Sequence, residues 1–128
     1  MASNVYFDAN VLLEVVLKRD KESVARETLL QNAPDGLIST LTGHLVMHFG
    51  RKDKAIPALR AFLSDYRLLA LKTVDFDWAF NNIRDKDFED ALQLAVAIRN
   101  GCDRFLTFDE KLYKYYKDLA AIEVELLK

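Results

Sequence analysis

The sequence predicts an α/β protein built on a parallel sheet that is covered on both faces. Two observations carry this. Short runs rich in β-branched, leucine and aromatic residues alternate with longer stretches at helical spacing, and strands that alternate with helices pair in parallel. The short runs are apolar without a clean inside–outside alternation, as strands buried on both faces are. No repeat, linker or low-complexity stretch divides the chain, so residues 1–128 are expected to be one domain.

Each element has its own local reason. Asn4-Val5-Tyr6-Phe7-Asp8 is a compact strand of β-branched and aromatic residues. The stretch 10–17 follows as a helix that is apolar nearly all round. Residues 20–23 cap a second helix that runs to about Gln31, and Asn32-Ala33-Pro34-Asp35-Gly36 is a turn cluster. A second strand is expected over 37–40, then a helix over 41–49 closed by Gly50. Asp53 is expected to cap the next helix, which carries Pro57 early and ends near Asp65. Strand 67–71 and helix 75–82 come next. Asp87 stands where an N-cap belongs, with Asp90 three residues on, before the apolar helical run of Ala91, Leu94, Ala95 and Ile98. An acid at that third position is favoured by the positive end of the helix, so Asp90 is expected to be ionised. Gly101 ends this helix. A buried strand over 104–108, a basic and aromatic helical turn over 111–116, and a last strand over 121–124 complete the chain.

Composition excludes several functional classes. Half the residues are hydrophobic (51%) and 30% are charged, an ordinary globular balance. The net charge of -2 argues against coating nucleic acid over the whole surface, though not against a local basic rim. A single cysteine, Cys102, rules out an internal disulfide and fits a reducing compartment. The stretch Met1-Ala2-Ser3-Asn4 lacks signal-peptide character, and no run approaches the roughly 18 apolar residues of a membrane span. No membrane association is expected, and the expected location is cytoplasmic.

Three carboxylates draw attention by position. Asp8 follows one strand, Asp109 follows another, and Asp90 starts a helix. In α/β proteins such places face the crevice at the carboxyl edge of the sheet. If the strands are neighbours, the three acids meet there. Oxygen ligands with open positions suit Mg²⁺ or Mn²⁺, and such an ion activates water and offsets charge in phosphoryl displacement. Each residue also has a purely structural reading. Asp87 is a cap, Asp90 is a partner of the helix dipole, and Asp109 is a turn residue. Asp8 is the hardest to explain this way, because an acid after a buried strand gains nothing by packing.

Four stretches resemble the motifs of the PIN domain (PilT N-terminus-like) family: Val5-Tyr6-Phe7-Asp8-Ala9-Asn10-Val11-Leu12-Leu13, Leu37-Ile38-Ser39-Thr40-Leu41, Phe88-Glu89-Asp90-Ala91-Leu92-Gln93-Leu94-Ala95, and Gly101-Cys102-Asp103-Arg104-Phe105-Leu106-Thr107-Phe108-Asp109. They come in the family's order and span nearly the whole chain. The resemblance implies a three-layer α/β/α sandwich whose central parallel sheet has four or five strands in the order 3-2-1-4-5. It implies a divalent-metal-dependent ribonuclease site with Asp8, Asp90 and Asp109 as catalytic, metal-binding acids. Asn10 and Thr107 fall at polar positions that orient water or an acid, and Asp103 matches a recurrent acid before the fourth strand. Many small members are VapC-like toxins of toxin–antitoxin pairs, and many form dimers. An RNA substrate, an antitoxin peptide and a homodimer are the implied partners. The apolar residues Leu12, Leu13 and Val16 and the helix after Lys54 are expected to supply the dimer surface.

The chain departs from the family pattern at one acid. The family usually carries Glu five residues after the serine of the second strand, and that register gives His44. An imidazole brings no negative charge, so His44 as a ligand would tilt the site toward Mn²⁺ and cost activity below about pH 6.5. His48 shares its helical face and reads as a packing residue, and Glu14 as a solvated or supporting residue. An RNA rim is expected from Arg51, Lys52 and Lys111, with Lys54, Lys114, Arg84 and Lys86 as further cations. Tyr113, Tyr115 and Tyr116 either stack on bases or cover the core. Two functions stay open: a metal-dependent endoribonuclease that is the toxin of a toxin–antitoxin pair, and a weak or inactive PIN-fold module that binds RNA or protein.

Overall fold

A computed structural model describes residues 4–32 and 35–128. Five strands form one parallel sheet: β1 (Val5–Phe7), β2 (Gly36–Ser39), β3 (Arg67–Leu69), β4 (Arg104–Thr107) and β5 (Glu123–Leu126). Their order is β3-β2-β1-β4-β5, so β1 is central between β2 and β4. Seven helices occur among the described residues: α1 (Ala9–Val16), α2 (Glu22–Asn32), α3 (Thr40–Gly50), α4 (Ile56–Leu63), α5 (Thr73–Asn82), α6 (Phe88–Arg99) and α7 (Glu110–Tyr116).

Alternation along β1 sorts the helices into two layers. Val5 and Phe7 face one core with Val11, Leu12, Val15 and Val16 of α1, Val46 of α3 and Leu59 of α4. Tyr6 faces the other with Leu94 and Val96 of α6, Leu112 and Tyr116 of α7 and Phe105, on whose ring it stacks at 5.2 Å. The result is the three-layer α/β/α sandwich in the order 3-2-1-4-5.

Helix ends follow local chemistry. Asp87 caps α6 by accepting from the Asp90 N–H at 3.3 Å. Gly101, at φ 70°, closes it: its N–H donates to Ile98 O and that of Cys102 to Ala97 O, both at 3.0 Å. Helix α1 ends the same way, but with Lys18 at φ 51° in the left-handed position. The Arg19 N–H reaches Glu14 O at 2.9 Å across that turn.

Several boundaries differ from expectation. Asp53 does not cap α4; it lies in the preceding turn, and Ala55 precedes a helix that tolerates Pro57 in its first turn because no backbone donor is needed there. β3 stops at Leu69, since the Ala70 carbonyl accepts from the Arg99 guanidinium at 2.7 Å and the Leu71 N–H donates to the Thr40 hydroxyl at 3.1 Å. Helix α5 starts at Thr73, before Asp75, whose carboxylate accepts from the Lys72 N–H at 2.8 Å and holds Arg99 of α6 through two bonds of 2.8 and 3.0 Å. β5 lies two residues later than expected. In that register Glu123 lies opposite Arg104 and Glu125 opposite Leu106, and Glu125 reaches Arg104 diagonally in a two-pronged ion pair, both bonds 2.8 Å. Positions 33 and 34 of the expected turn lie outside the described residues. Leu12, Leu13 and Val16 are buried within the chain itself, so they offer no surface to a second copy; a parallel sheet needs that face of α1 for its own core. Among the described residues no helix is long and apolar enough to cross a membrane.

Candidate active site

The site grows from the carboxyl end of β1. The Asp8 N–H continues the β1–β4 ladder to Leu106 O at 3.0 Å, which delivers its side chain to the edge of the sheet. That side chain is buried, and three donors hold it. Oδ2 accepts from the Thr107 hydroxyl at 2.7 Å and the Asn10 amide at 3.1 Å. Oδ1 accepts from the Gln93 amide at 2.9 Å. The Thr107 hydroxyl also accepts from the Asp109 N–H at 3.0 Å, so one residue joins the ends of β1 and β4. Asn10 reaches both Asp8 and Thr107, and its amide oxygen accepts from the Phe108 N–H at 3.3 Å.

Asp90 and Asp109 face one cavity of about 360 Å³, lined also by Asp85, Lys86, Asp87, Phe88 and Lys111. Asp109 caps α7: Oδ1 accepts from the N–H groups of Lys111 and Leu112 at 2.9 and 3.1 Å. Asp90 is 6% exposed, and its carboxylate takes no hydrogen bond among the described residues.

Electrostatics set these acids apart. Burial pushes Asp8 up to about 6, against the pull of the Thr107 and Gln93 hydrogen bonds; Glu89 and Asp109 add to the rise. Asp90 is pushed up to about 9 by burial first and then by Asp8, Asp87, Asp109 and Asp85. The expectation that Asp90 is ionised therefore fails for the metal-free protein. One helix end contributes roughly half a charge, and four neighbouring acids outweigh it. Burial and Asp87 also raise Glu89.

Other expected residues lie elsewhere. His44 is exposed on α3 and stacks on His48 at 5.9 Å between ring centres, and it does not line the cavity. Thr42, two residues before it, is the α3 side chain that turns inward, to Gln93. Asp103 sits at the opposite edge of the sheet and accepts from the Asn4 N–H at 3.0 Å; a residue preceding β4 cannot reach that strand's carboxyl end. Arg51 packs against His48, and neither it nor Lys52 lines the cavity, whereas Lys111 and Lys86 do. Tyr116 is core, its hydroxyl donating to Asp85 at 3.2 Å and accepting from the Arg84 N–H at 2.9 Å, while Tyr115 is exposed. Glu14 accepts from the Lys21 N–H at 3.3 Å, away from the acids.

Sequence reasoning missed Gln93. A glutamine fully buried in the apolar run of α6 must have partners, and that was the available signal. Its amide oxygen accepts from the Tyr6 hydroxyl at 3.3 Å, the Ala9 N–H at 3.1 Å and the Thr42 hydroxyl at 3.1 Å. Its amide nitrogen donates to Asp8 and, at 3.4 Å, to Glu89.

The donor set suits a hard divalent cation. It consists of carboxylate oxygens carrying more negative charge than neighbouring cations offset, and one of them, Asp90, opens on the cavity with no hydrogen bond among the described residues. The fit is one of donor chemistry and charge. Among the described residues no group of three or more His, Cys, Asp or Glu side chains is already arranged to hold an ion.

Comparison with known proteins agrees with this architecture. The chain is similar to a chain of a toxin–antitoxin complex from Klebsiella pneumoniae, with 20% identity, 92% of this chain and 94% of that one covered, and a TM-score of 0.75. It is also similar to DNA-bound VapBC from Salmonella typhimurium, with 16% identity, 96% and 97% covered, and a TM-score of 0.71. VapC20 of Mycobacterium tuberculosis, a sarcin–ricin loop cleaving toxin, matches with 16% identity, 86% and 93% covered, and a TM-score of 0.65. No curated protein matches the chain. The PIN domain model matches residues 5–118, and the chain belongs to the PIN domain family.

Proposed function

We propose that this chain is a metal-dependent endoribonuclease and the toxin of a toxin–antitoxin pair, with residues 1–128 forming one PIN-like domain in the cytoplasm. Asp8, Asp90 and Asp109 would hold Mg²⁺ or Mn²⁺. The observation that carries the reading is Asp90: a carboxylate that opens on the cavity with no hydrogen bond among the described residues, beside Asp109 and raised by the charge of Asp8. PIN nucleases generally use divalent metal ions. When bound, such an ion supplies an activated water and offsets charge at phosphorus.

The chain's own residues do the rest. Thr107 and Asn10 hold one oxygen of Asp8 and Gln93 the other, so this carboxylate cannot turn away. Lys86 and Lys111 line the cavity and would take the phosphates of an RNA strand. Three carboxylates stand where the family pattern has four. Glu89, bonded to the same amide as Asp8, adds negative charge to the cluster and favours the catalytic reading over a binding-only module.

The toxin assignment draws support from the relatives described as toxin–antitoxin and VapBC complexes, and the RNA substrate from the one described as cleaving the sarcin–ricin loop. An antitoxin partner follows. A homodimer is supported by exposed apolar residues such as Ile56, Leu68 and Phe80. The test is cleavage of a labelled RNA with Mn²⁺, Mg²⁺ or EDTA by the wild type and Asp109→Asn. Asn caps a helix as well as Asp, so this variant removes charge and keeps α7. Loss of cleavage in EDTA and in the variant is expected; cleavage surviving both would refute the reading.

A further inference from the structure

Gln93 lies three residues after Asp90 on α6, on the same helix face. It is fully buried, and every polar atom of its side chain is used. The direction of the amide is settled by its neighbours. The Ala9 N–H can only donate, so the atom facing it must be the oxygen, and the Tyr6 and Thr42 hydroxyls donate to the same atom. The nitrogen is thereby aimed at Asp8, with its second hydrogen toward Glu89.

This one side chain ties the helix that carries Asp90 to the start of α1, to α3 and to the carboxylate of Asp8. The Ala9 N–H is one of the donors that the first turn of α1 leaves without a helical partner, and Gln93 satisfies it. Asp8 is gripped from both sides: Thr107 and Asn10 on Oδ2, Gln93 on Oδ1. Of these three, Gln93 alone belongs to the helix of the second acid. Thr107 and Asn10 orient Asp8 relative to β4 and α1; only Gln93 orients it relative to Asp90.

We infer that Gln93 is a positioning residue that sets the register between the Asp8 and Asp90 carboxylates, and that divalent-cation affinity depends on its amide N–H. The inference rests on the reading of Asp8 as a metal ligand. Supporting partners that orient metal ligands typically change affinity by about 10- to 100-fold when removed.

The test is calorimetric titration of Mn²⁺ into wild type, Gln93→Met, Thr42→Val and Asp8→Asn, with cleavage of a labelled RNA in parallel. Gln93→Met keeps the shape and removes the donor. Thr42→Val loosens the same network at the oxygen end without releasing Asp8, so it reports what loss of structure alone does. Gln93→Met should weaken Mn²⁺ binding by about 10- to 100-fold and lower kcat while leaving the KM for RNA unchanged. Thr42→Val should lower Tm but keep Mn²⁺ affinity within about 2-fold, since no ligand contact changes. If Gln93→Met does not fold, Gln93→Asn serves instead. It keeps an amide but is one methylene shorter, so it cannot reach both the Ala9 N–H and Asp8, and it should also bind Mn²⁺ more weakly. Wild-type affinity in the Gln93 variant, or an equal loss in Thr42→Val, overturns the inference. If Asp8→Asn loses Mn²⁺ while Gln93→Met does not, only the inference falls. If Asp8→Asn binds as the wild type does, the metal reading of Asp8 falls and the inference with it.

Discussion

Replacing Asp90 by asparagine should make the metal-free protein more stable at neutral and basic pH. Folding holds Asp90 up at about 9 and Asp8 up at about 6, against an ordinary value of 3.8 for both. The folded chain therefore keeps protons that the unfolded chain has released. The contribution of these two groups is then greatest at the acid side and falls as pH rises, between about 4 and 6 for Asp8 and between about 4 and 9 for Asp90. For Asp8 alone, going from about pH 5 to about pH 8 removes about 1.4 kcal/mol. At roughly 3 °C per kcal/mol for a chain of this length, that is about 4 °C of Tm. Asp90 acts in the same direction over a wider range. Asparagine is neutral without a proton, so the cost of keeping a folded carboxyl protonated while the unfolded one ionises disappears, and among the described residues no side-chain hydrogen bond is lost. Thermal unfolding in EDTA at both pH values, for wild type and Asp90→Asn, measures the effect. The variant should melt higher at pH 8, and its drop between the two pH values should be smaller by several degrees. Equal drops in the two proteins would show that the carboxylates are not crowded, and would refute the reasoning.

Three further outcomes follow from particular contacts. Lys18 occupies a left-handed position that costs a non-glycine residue about 1 kcal/mol, so Lys18→Gly should raise stability by up to that amount in a denaturant titration. Arg99→Met leaves Asp75, which is 1% exposed, without its charge partner, and should cost about 3 kcal/mol in the same measurement. His44→Ala should leave the rate of RNA cleavage and the preference between Mn²⁺ and Mg²⁺ unchanged, because the ring stacks on His48 outside the cavity; a shift in metal preference would bring His44 back to the site.

Much of the fold was legible in the sequence because its signals are local. The apolar run of Val5, Tyr6 and Phe7, the Asp87 cap and the Gly101 stop each act within a few residues, and the structure keeps all three. The placement of Asp8 after a buried strand was legible for the same reason. Boundaries set by distant partners were not. β5 runs two residues later than its apolar residues suggest, with Glu125 opposite Leu106 and bonded diagonally to Arg104, 21 residues away in the chain. Residue direction on a helix was also out of reach at α3. Counting positions gave His44, but the side chain that turns inward is Thr42, because Gln93 of α6 receives it. Gln93 itself was hidden inside an apolar run, since its partners Tyr6, Ala9 and Asp8 lie more than 80 residues away. The charge state of Asp90 was misjudged because its helix start is visible locally, whereas Asp8 and Asp109 come close only through the fold.

The central claim is that Asp8, Asp90 and Asp109 serve one divalent cation. Anomalous diffraction at the manganese edge, from crystals soaked in Mn²⁺, tests it most directly. The account predicts a single strong peak in the cavity between α6 and α7, with oxygens of all three aspartates as ligands or holding its waters. A peak between His44 and His48, or none within reach of Asp8, would contradict it.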